Sequence, residues 1–132
     1  GRGFYVTDNF NKAVEWSGRV ARRKRTTGAV IAFRIAAHLL SGTTHLSLNV
    51  NTDTDRKWLE CIVSHFRHGG TSPDVSNVLR DVKFIEGPVA KIKYLGSQEM
   101  PTFYNFNQLC ICDNDYARQF GSLGNILFVI FS

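Results

Sequence analysis

Two groups of residues in this 132-residue chain have types and spacing suited to chemistry. The first is Gly1-Arg2-Gly3-Phe4-Tyr5-Val6-Thr7-Asp8-Asn9, followed by Lys12 and Trp16. A glycine-flanked turn leads into a short strand ending at Tyr5-Val6-Thr7. An amphipathic helix then opens near Asp8-Asn9 and carries Trp16 about two turns in. Two aromatic rings beside a helix N-terminus suit a flat, charged heteroaromatic ring with a phosphate close by. The second group is Asn107-Gln108-Leu109-Cys110-Ile111-Cys112-Asp113. Read as a strand, it puts Gln108, Cys110 and Cys112 on one face and Leu109, Ile111 and Asp113 on the other. The Gln108 amide accepts a hydrogen bond but carries no charge and cannot act as a general base.

The elements that must position these residues follow from periodicity. Phe10, Ala13, Val14, Ser17, Val20 and Ala21 form one side of a helix over residues 9–24, and Lys12, Arg19, Arg22 and Arg23 form the other. Ala29 to Ile35 reads as a mostly buried strand, Ala36 to Leu40 as a short helical turn, and His45 to Val50 as a strand with one buried face. Asp53 or Thr54 can cap a helix on which Trp58, Leu59, Ile62, Val63 and Phe66 recur at helical spacing, with Gly69-Gly70 as its stop. Thr71 to Asn77 reads as a polar loop. A strand follows over Val82 to Glu86, an irregular stretch from Ile92 to Phe106, and a strand from Gln108 to Asp113. Asp115 to Phe120 reads as a short helix and Ile126 to Phe131 as a buried closing strand. The order describes an α+β fold with two main helices, and it suits a split β-sheet around a cleft.

The opening resembles the nicotinamide-binding element of the ADP-ribosyltransferase superfamily. The poly(ADP-ribose) polymerase catalytic domain has Gly-basic-Gly-hydrophobic-Tyr-x-x-Asp-x-x-x-Lys-Ser-x-x-Tyr there. Gly1, Arg2, Gly3, Tyr5, Asp8 and Lys12 fall in register, Ala13 replaces the serine and Trp16 the second tyrosine. Asn107 and Gln108 stand where that family has Asn-Glu. Phe84-Ile85-Glu86-Gly87-Pro88-Val89-Ala90 is similar to a segment of small members of the superfamily that also open on Gly-basic-Gly-Phe-Tyr-x-Thr. The resemblance implies one ADP-ribosyltransferase-like domain over 1–132, of the diphtheria-toxin-like kind, with a split sheet around an NAD cleft. It implies NAD as substrate, cleavage of the nicotinamide–ribose bond, and transfer of ADP-ribose to a macromolecule or to water. Tyr5 and Gln108 take the catalytic places, and Gly3, Tyr5, Lys12 and Trp16 the NAD-binding ones. The family's first motif, a histidine or arginine on a strand before the glycine-tyrosine turn, has no counterpart here. The segment Gly96 to Phe106 corresponds to the loop that meets the macromolecular acceptor, protein or nucleic acid. Phe106 occupies the place of a carboxylate in arginine-modifying toxins, which argues against that class. Ala13 and Gln108 also fit a catalytically inactive member that serves as an interaction module.

Composition sets wider bounds. Hydrophobic residues make up 43% and charged residues 20%, ordinary for a globular domain with its own core. No apolar run is long enough to span a bilayer. The net charge of +5 favours an anionic partner, dinucleotide or nucleic acid. A basic nucleic-acid-binding domain is therefore a third reading, with Arg22-Arg23-Lys24-Arg25 as its patch. That run reads first as a solvated helix end, because it has no interleaved aromatics for stacking. Three cysteines, Cys61, Cys110 and Cys112, make no disulfide framework and point to a reducing compartment. Cys61, His65 and His68 share a helix side but have no fourth ligand nearby, so they read as a solvated flank rather than a metal site.

Overall fold

Capping residues fix where the helices begin in the computed structural model, which describes residues 4–91 and 100–131. After strand β1 (Phe4–Val6), the Asn9 side-chain oxygen accepts the Lys12 amide and starts α1 (Phe10–Lys24). Arg22, Arg23 and Lys24 crowd the last turn, where the helix dipole favours positive charge. Arg25 then reverses the chain in the left-handed region, at φ 53°. Next come β2 (Ala29–Phe33), α2 (Ala37–Ser41), β3 (His45–Ser47) and α3 (Asp53–Arg67). Thr52 is the N-cap residue of α3, but its side chain makes no capping bond. Gly69 and Gly70, at φ +73° and +82°, end that helix in a conformation open to residues without a Cβ.

A helix then stands where a loop over Thr71 to Asn77 is expected. Ser72 accepts the Val75 amide, Pro73 supplies a preset φ in the first turn, and α4 runs over Pro73–Asp81. The polar residues of this segment are its cap and solvent face, and Val75 is its core anchor, 1% exposed. Strand β4 (Phe84–Lys91) follows, then β5 (Thr102–Ile111), α5 (Asn114–Phe120), a 3₁₀ turn and β6 (Ile126–Phe131). Residues 102–106 thus belong to β5 rather than to an irregular stretch, and Gln108 lies well inside the strand instead of opening it. Part of the expected irregular stretch lies outside the described residues. Five helices are described; α1 and α3, at fifteen residues each, are the longest. None of them is long and apolar enough to cross a membrane.

The strands form two sheets. One has the order β1-β5-β4-β3, antiparallel except for the parallel β3–β4 pair. The other is the antiparallel pair β2–β6. Ile85 and Leu48 pack with Leu59, Ile62, Val75 and Val82 from α3, α4 and the α4–β4 junction. Phe84 and Ile111 pack with Tyr116 and Phe120 of α5. Since adjacent residues Phe84 and Ile85 belong to different clusters, the four-stranded sheet is covered on both faces. Phe4, Phe33 and Phe120 meet edge to face at 5.9–6.1 Å and join β2 to the second cluster.

The β2–β6 pair departs from expectation. Ile31 is 49% exposed, and Leu127 to Phe131 are each at least 39% exposed. Apolar runs signal strand, but burial needs layers on both faces, and here α1 meets the pair through β2. The α1 face is likewise half-open, with Phe10 50% and Val14 39% exposed.

Stability should therefore concentrate in the four-stranded half. Phe84 is 1% exposed and stacked between His45 at 4.6 Å and Tyr116 at 5.7 Å. Phe84→Ala is expected to cost about 3–5 kcal/mol. Phe131→Ala, at a largely exposed site, is expected to change stability by no more than about 0.5 kcal/mol. Urea denaturation of both variants checks the contrast, and equal losses would contradict it.

Candidate functional site

Register brings the two sequence groups together. Tyr5 of β1 pairs directly with Cys110 of β5, so their side chains share one sheet face. Gln108, two residues earlier on β5, lies on that same face. Tyr5 and Gln108 are therefore diagonal neighbours across one strand pair, a separation of about 7–8 Å for such positions. On the other side of Gln108, β4 presents Gly87. A Cβ there would come within 3.2 Å of Leu59 Cδ2, so glycine permits the close approach of α3 beside Gln108.

A short relay of hydrogen bonds ties this strand pair to the helix start. Thr7 Oγ1 donates to the Asn107 carbonyl at 2.7 Å and accepts the Asn9 amide at 3.2 Å. Asn9 in turn caps α1 through the Lys12 amide at 3.0 Å. The residue beside Gln108 is thereby linked to the first turn of α1 in three bonds. Lys12 Nζ then stands 5.6 Å from the Phe106 ring centroid, two residues along β5 from Gln108, and 3.5 Å from Glu15 Oε2. Trp16 lies one turn further on and is 61% exposed. The fold thus gathers Tyr5, Gln108 and Lys12 about the β1–β5 pair. Trp16 makes no ring contact among the described residues. Gly3 lies outside the described residues, as does the start of the Gly96–Phe106 segment. Its later part is strand: Tyr104 and Phe106 tilt together at 5.6 Å, Lys91 Nζ sits 5.6 Å from the Tyr104 centroid, and Phe103 packs on the core.

Sequence reading missed the chemistry of the thiols in this site. Both are free; Cys110 is buried and Cys112 half-buried. A hydrogen bond from the Cys112 thiol, and a further one from the Tyr5 hydroxyl, lower the Cys110 thiol from 9.0 to about 7, against its own burial. The Cys112 thiol is raised, chiefly by that same hydrogen bond and then by burial. Burial and the neighbouring Cys110 raise the Tyr5 hydroxyl. Cys112 Sγ also lies 3.4 Å from the Cys110 carbonyl oxygen, which competes for the same proton. The alternation of β5 was visible in the sequence, but its cross-strand partner Tyr5 was not. His65 was missed as well. It is 5% exposed rather than a solvated flank, and its Nδ1 accepts the Ser72 amide at 3.0 Å. It ties α3 to the cap of α4, a role announced by Gly69-Gly70 and Ser72-Pro73.

An α+β domain with an aromatic and an amide side chain set diagonally on one face of its mixed sheet is the class that fold and site define. The chain belongs to the family described as a protein of unknown function, DUF3990, whose model matches residues 1–111. That span holds Tyr5, Lys12, Trp16 and Gln108; α5 and β6 follow it. No curated protein and no solved structure matches the chain.

The thiol pair has a pH signature. The Cys110 value is depressed on folding, so the unfolded chain binds more protons between about 7 and 9.0, and stability rises with pH in that window. It is lost as pH falls through about 7. The raised Cys112 and Tyr5 groups oppose any further gain above the window. Thiolate ultraviolet absorbance should show a first step near pH 7 that Cys110→Ser removes and Cys112→Ser moves upward. A first step at the ordinary thiol value would mean that the thiol–thiol hydrogen bond is not made.

Proposed function

We propose that this chain binds NAD as a substrate on the face bounded by Tyr5, Lys12, Trp16 and Gln108, and cleaves its nicotinamide–ribose bond. ADP-ribose then passes to a macromolecule or to water. The observation that carries the reading is the diagonal placement of Tyr5 and Gln108 on one sheet face, fixed by the Tyr5–Cys110 register. Tyr5 offers a ring for the nicotinamide plane, and Trp16 an exposed second ring. Gln108 offers an amide oxygen to a ribose hydroxyl. As the C–N bond breaks, nicotinamide leaves with its electron pair and positive charge grows on the ribose. Gln108 can meet that charge only with a dipole, where a carboxylate would supply a full charge. Lys12 is a cation near the helix start, suited to a phosphate. Gly3 completes the set by resemblance, and the segment from Gly96 to Phe106 is the side for a macromolecular acceptor. Ala13 offers no hydroxyl to the carboxamide, which removes about 0.5–1.5 kcal/mol of ligand hydrogen bonding.

The exposed apolar residues of β6, together with the neutral Gln108, favour a second reading, an inactive interaction module of the same fold.

Nicotinamide release from NAD separates the two. Release by this chain is expected to be slow. Gln108→Glu should raise it about tenfold, the value of about 1.4 kcal/mol gained when a neutral hydrogen bond becomes a charged one. Tyr5→Ala should abolish it. Release unaffected by Tyr5→Ala would remove the proposed site. No release from any variant, with no heat of NAD binding by calorimetry, would leave the interaction module.

A further inference from the structure

Between Glu15 and Asp53 the chain carries no acidic residue, while Arg19, Arg22, Arg23, Lys24, Arg25 and Arg34 all fall in that interval. The fold gathers the first five of these cations over the last turns of α1 and its cap. Glu15 is already engaged, by Arg19 at 3.0 Å and Lys12 at 3.5 Å. Arg22, Arg23, Lys24 and Arg25 are exposed and have no ion-pair partner among the described residues. Gly18, Ala21, Arg22, Arg25 and Thr26 line an open groove of about 430 Å³.

The run Arg22–Arg25 lacks aromatics in sequence, but the helix supplies one in space. Trp16, Arg19 and Arg23 stand at i, i+3 and i+7 on one stripe, and Trp16 is 61% exposed. Guanidinium forks match phosphate oxygens bidentately, and an exposed indole offers a face to any base. An acidic protein segment would use the cations and leave the indole without a matching ring. The geometry points to the C-terminal half of α1 as a surface that binds single-stranded nucleic acid, with a base stacked on Trp16, a phosphate on Arg23 of the same stripe, and further phosphates on Arg22 and Arg25 around the helix end. From Trp16 to Lys24 the helix rises about 12 Å, so the footprint is a few nucleotides. The two readings share Trp16, but the phosphate-binding cations lie outside the Tyr5–Gln108 face, so the arginine variants test this surface separately from the NAD reading.

Fluorescence anisotropy with labelled single-stranded RNA and DNA oligonucleotides over a salt series tests it. Three or four phosphate contacts should give a slope of log affinity against log salt of about −2 to −3. Arg22→Glu, Arg23→Glu and Arg25→Glu combined, with folding checked by circular dichroism, should lower affinity at least a hundredfold at low salt and flatten the slope. Arg23→Gln alone, a milder change at an exposed position, should reduce the slope by about 0.7. Trp16→Ala should weaken the single strands about tenfold, within the stacking range of about 1–3 kcal/mol per base. No binding at low salt, or affinity indifferent to the charge variants, would overturn the inference. Competition by polyglutamate as strong as by oligonucleotide, with Trp16→Ala neutral, would also overturn it, in favour of an acidic protein partner.

Discussion

The pairing of β5 with β1 on one edge and β4 on the other is the constraint on which this structure depends. Ile111 faces Phe4 and Phe84, Cys110 faces Tyr5 and Ile85, and Gln108 faces Gly87. Side chains alternate along a strand, so a slip of one residue would exchange the two faces. Gln108 would then turn toward the Phe84–Tyr116 cluster, and Ile111 would leave it. The register is held because each face has its own buried cluster: Phe84 and Ile111, 1% and 3% exposed, fill one with Tyr116 and Phe120, and Ile85 fills the other with Leu59 and Ile62. Core packing and site geometry are thus one requirement: the residues that exclude water on one face aim Tyr5 and Gln108 from the other.

The two halves of the molecule differ in how well they satisfy their own hydrophobic pattern. The four-stranded sheet has helices α3 and α4 over one cluster and α5 over the other. The β2–β6 pair joins this body mainly through Phe33 and rests on α1 through contacts such as Ser17 Oγ to the Ala29 carbonyl at 3.2 Å. Its remaining apolar side chains stay accessible, which makes the pair the low-stability end of the fold. The functional residues divide between the halves. Tyr5 and Gln108 sit on the rigid sheet. Lys12 and Trp16 sit on α1, linked to that sheet by the Thr7–Asn9 relay.

Cys110 and Cys112 give the Tyr5 face a polar underside. Each thiol alone would be an ordinary half-hidden cysteine. Close together on one face, with Tyr5 paired to Cys110, the three groups perturb one another: the Cys110 thiol is lowered, and the Cys112 thiol and the Tyr5 hydroxyl are raised. Among these three groups Cys110 is the first to ionise, while Gln108 contributes only a dipole.

By itself the sequence determined the local elements whose signals are carried by neighbouring residues. The helix opening near Asp8-Asn9, the helical spacing from Trp58 to Phe66 with its Gly69-Gly70 stop, and the alternation around Cys110 all correspond to elements of the fold. The α+β class follows from their order. It also held the Ser72-Pro73 start of α4, which was legible but was masked by the polar residues that follow. What it could not hold was burial. Leu127 to Phe131 read as a core strand, because apolar character says that water is avoided locally and not whether another layer arrives to exclude it. His65 failed in the opposite sense, since a polar residue becomes core when its ring is satisfied, here by the Ser72 amide just beyond the Gly69-Gly70 turn. The site was legible as residue types on separate elements. Only the tertiary structure set Tyr5 beside Cys110, and so beside Gln108, because strand register is chosen by the whole sheet burying its two faces together.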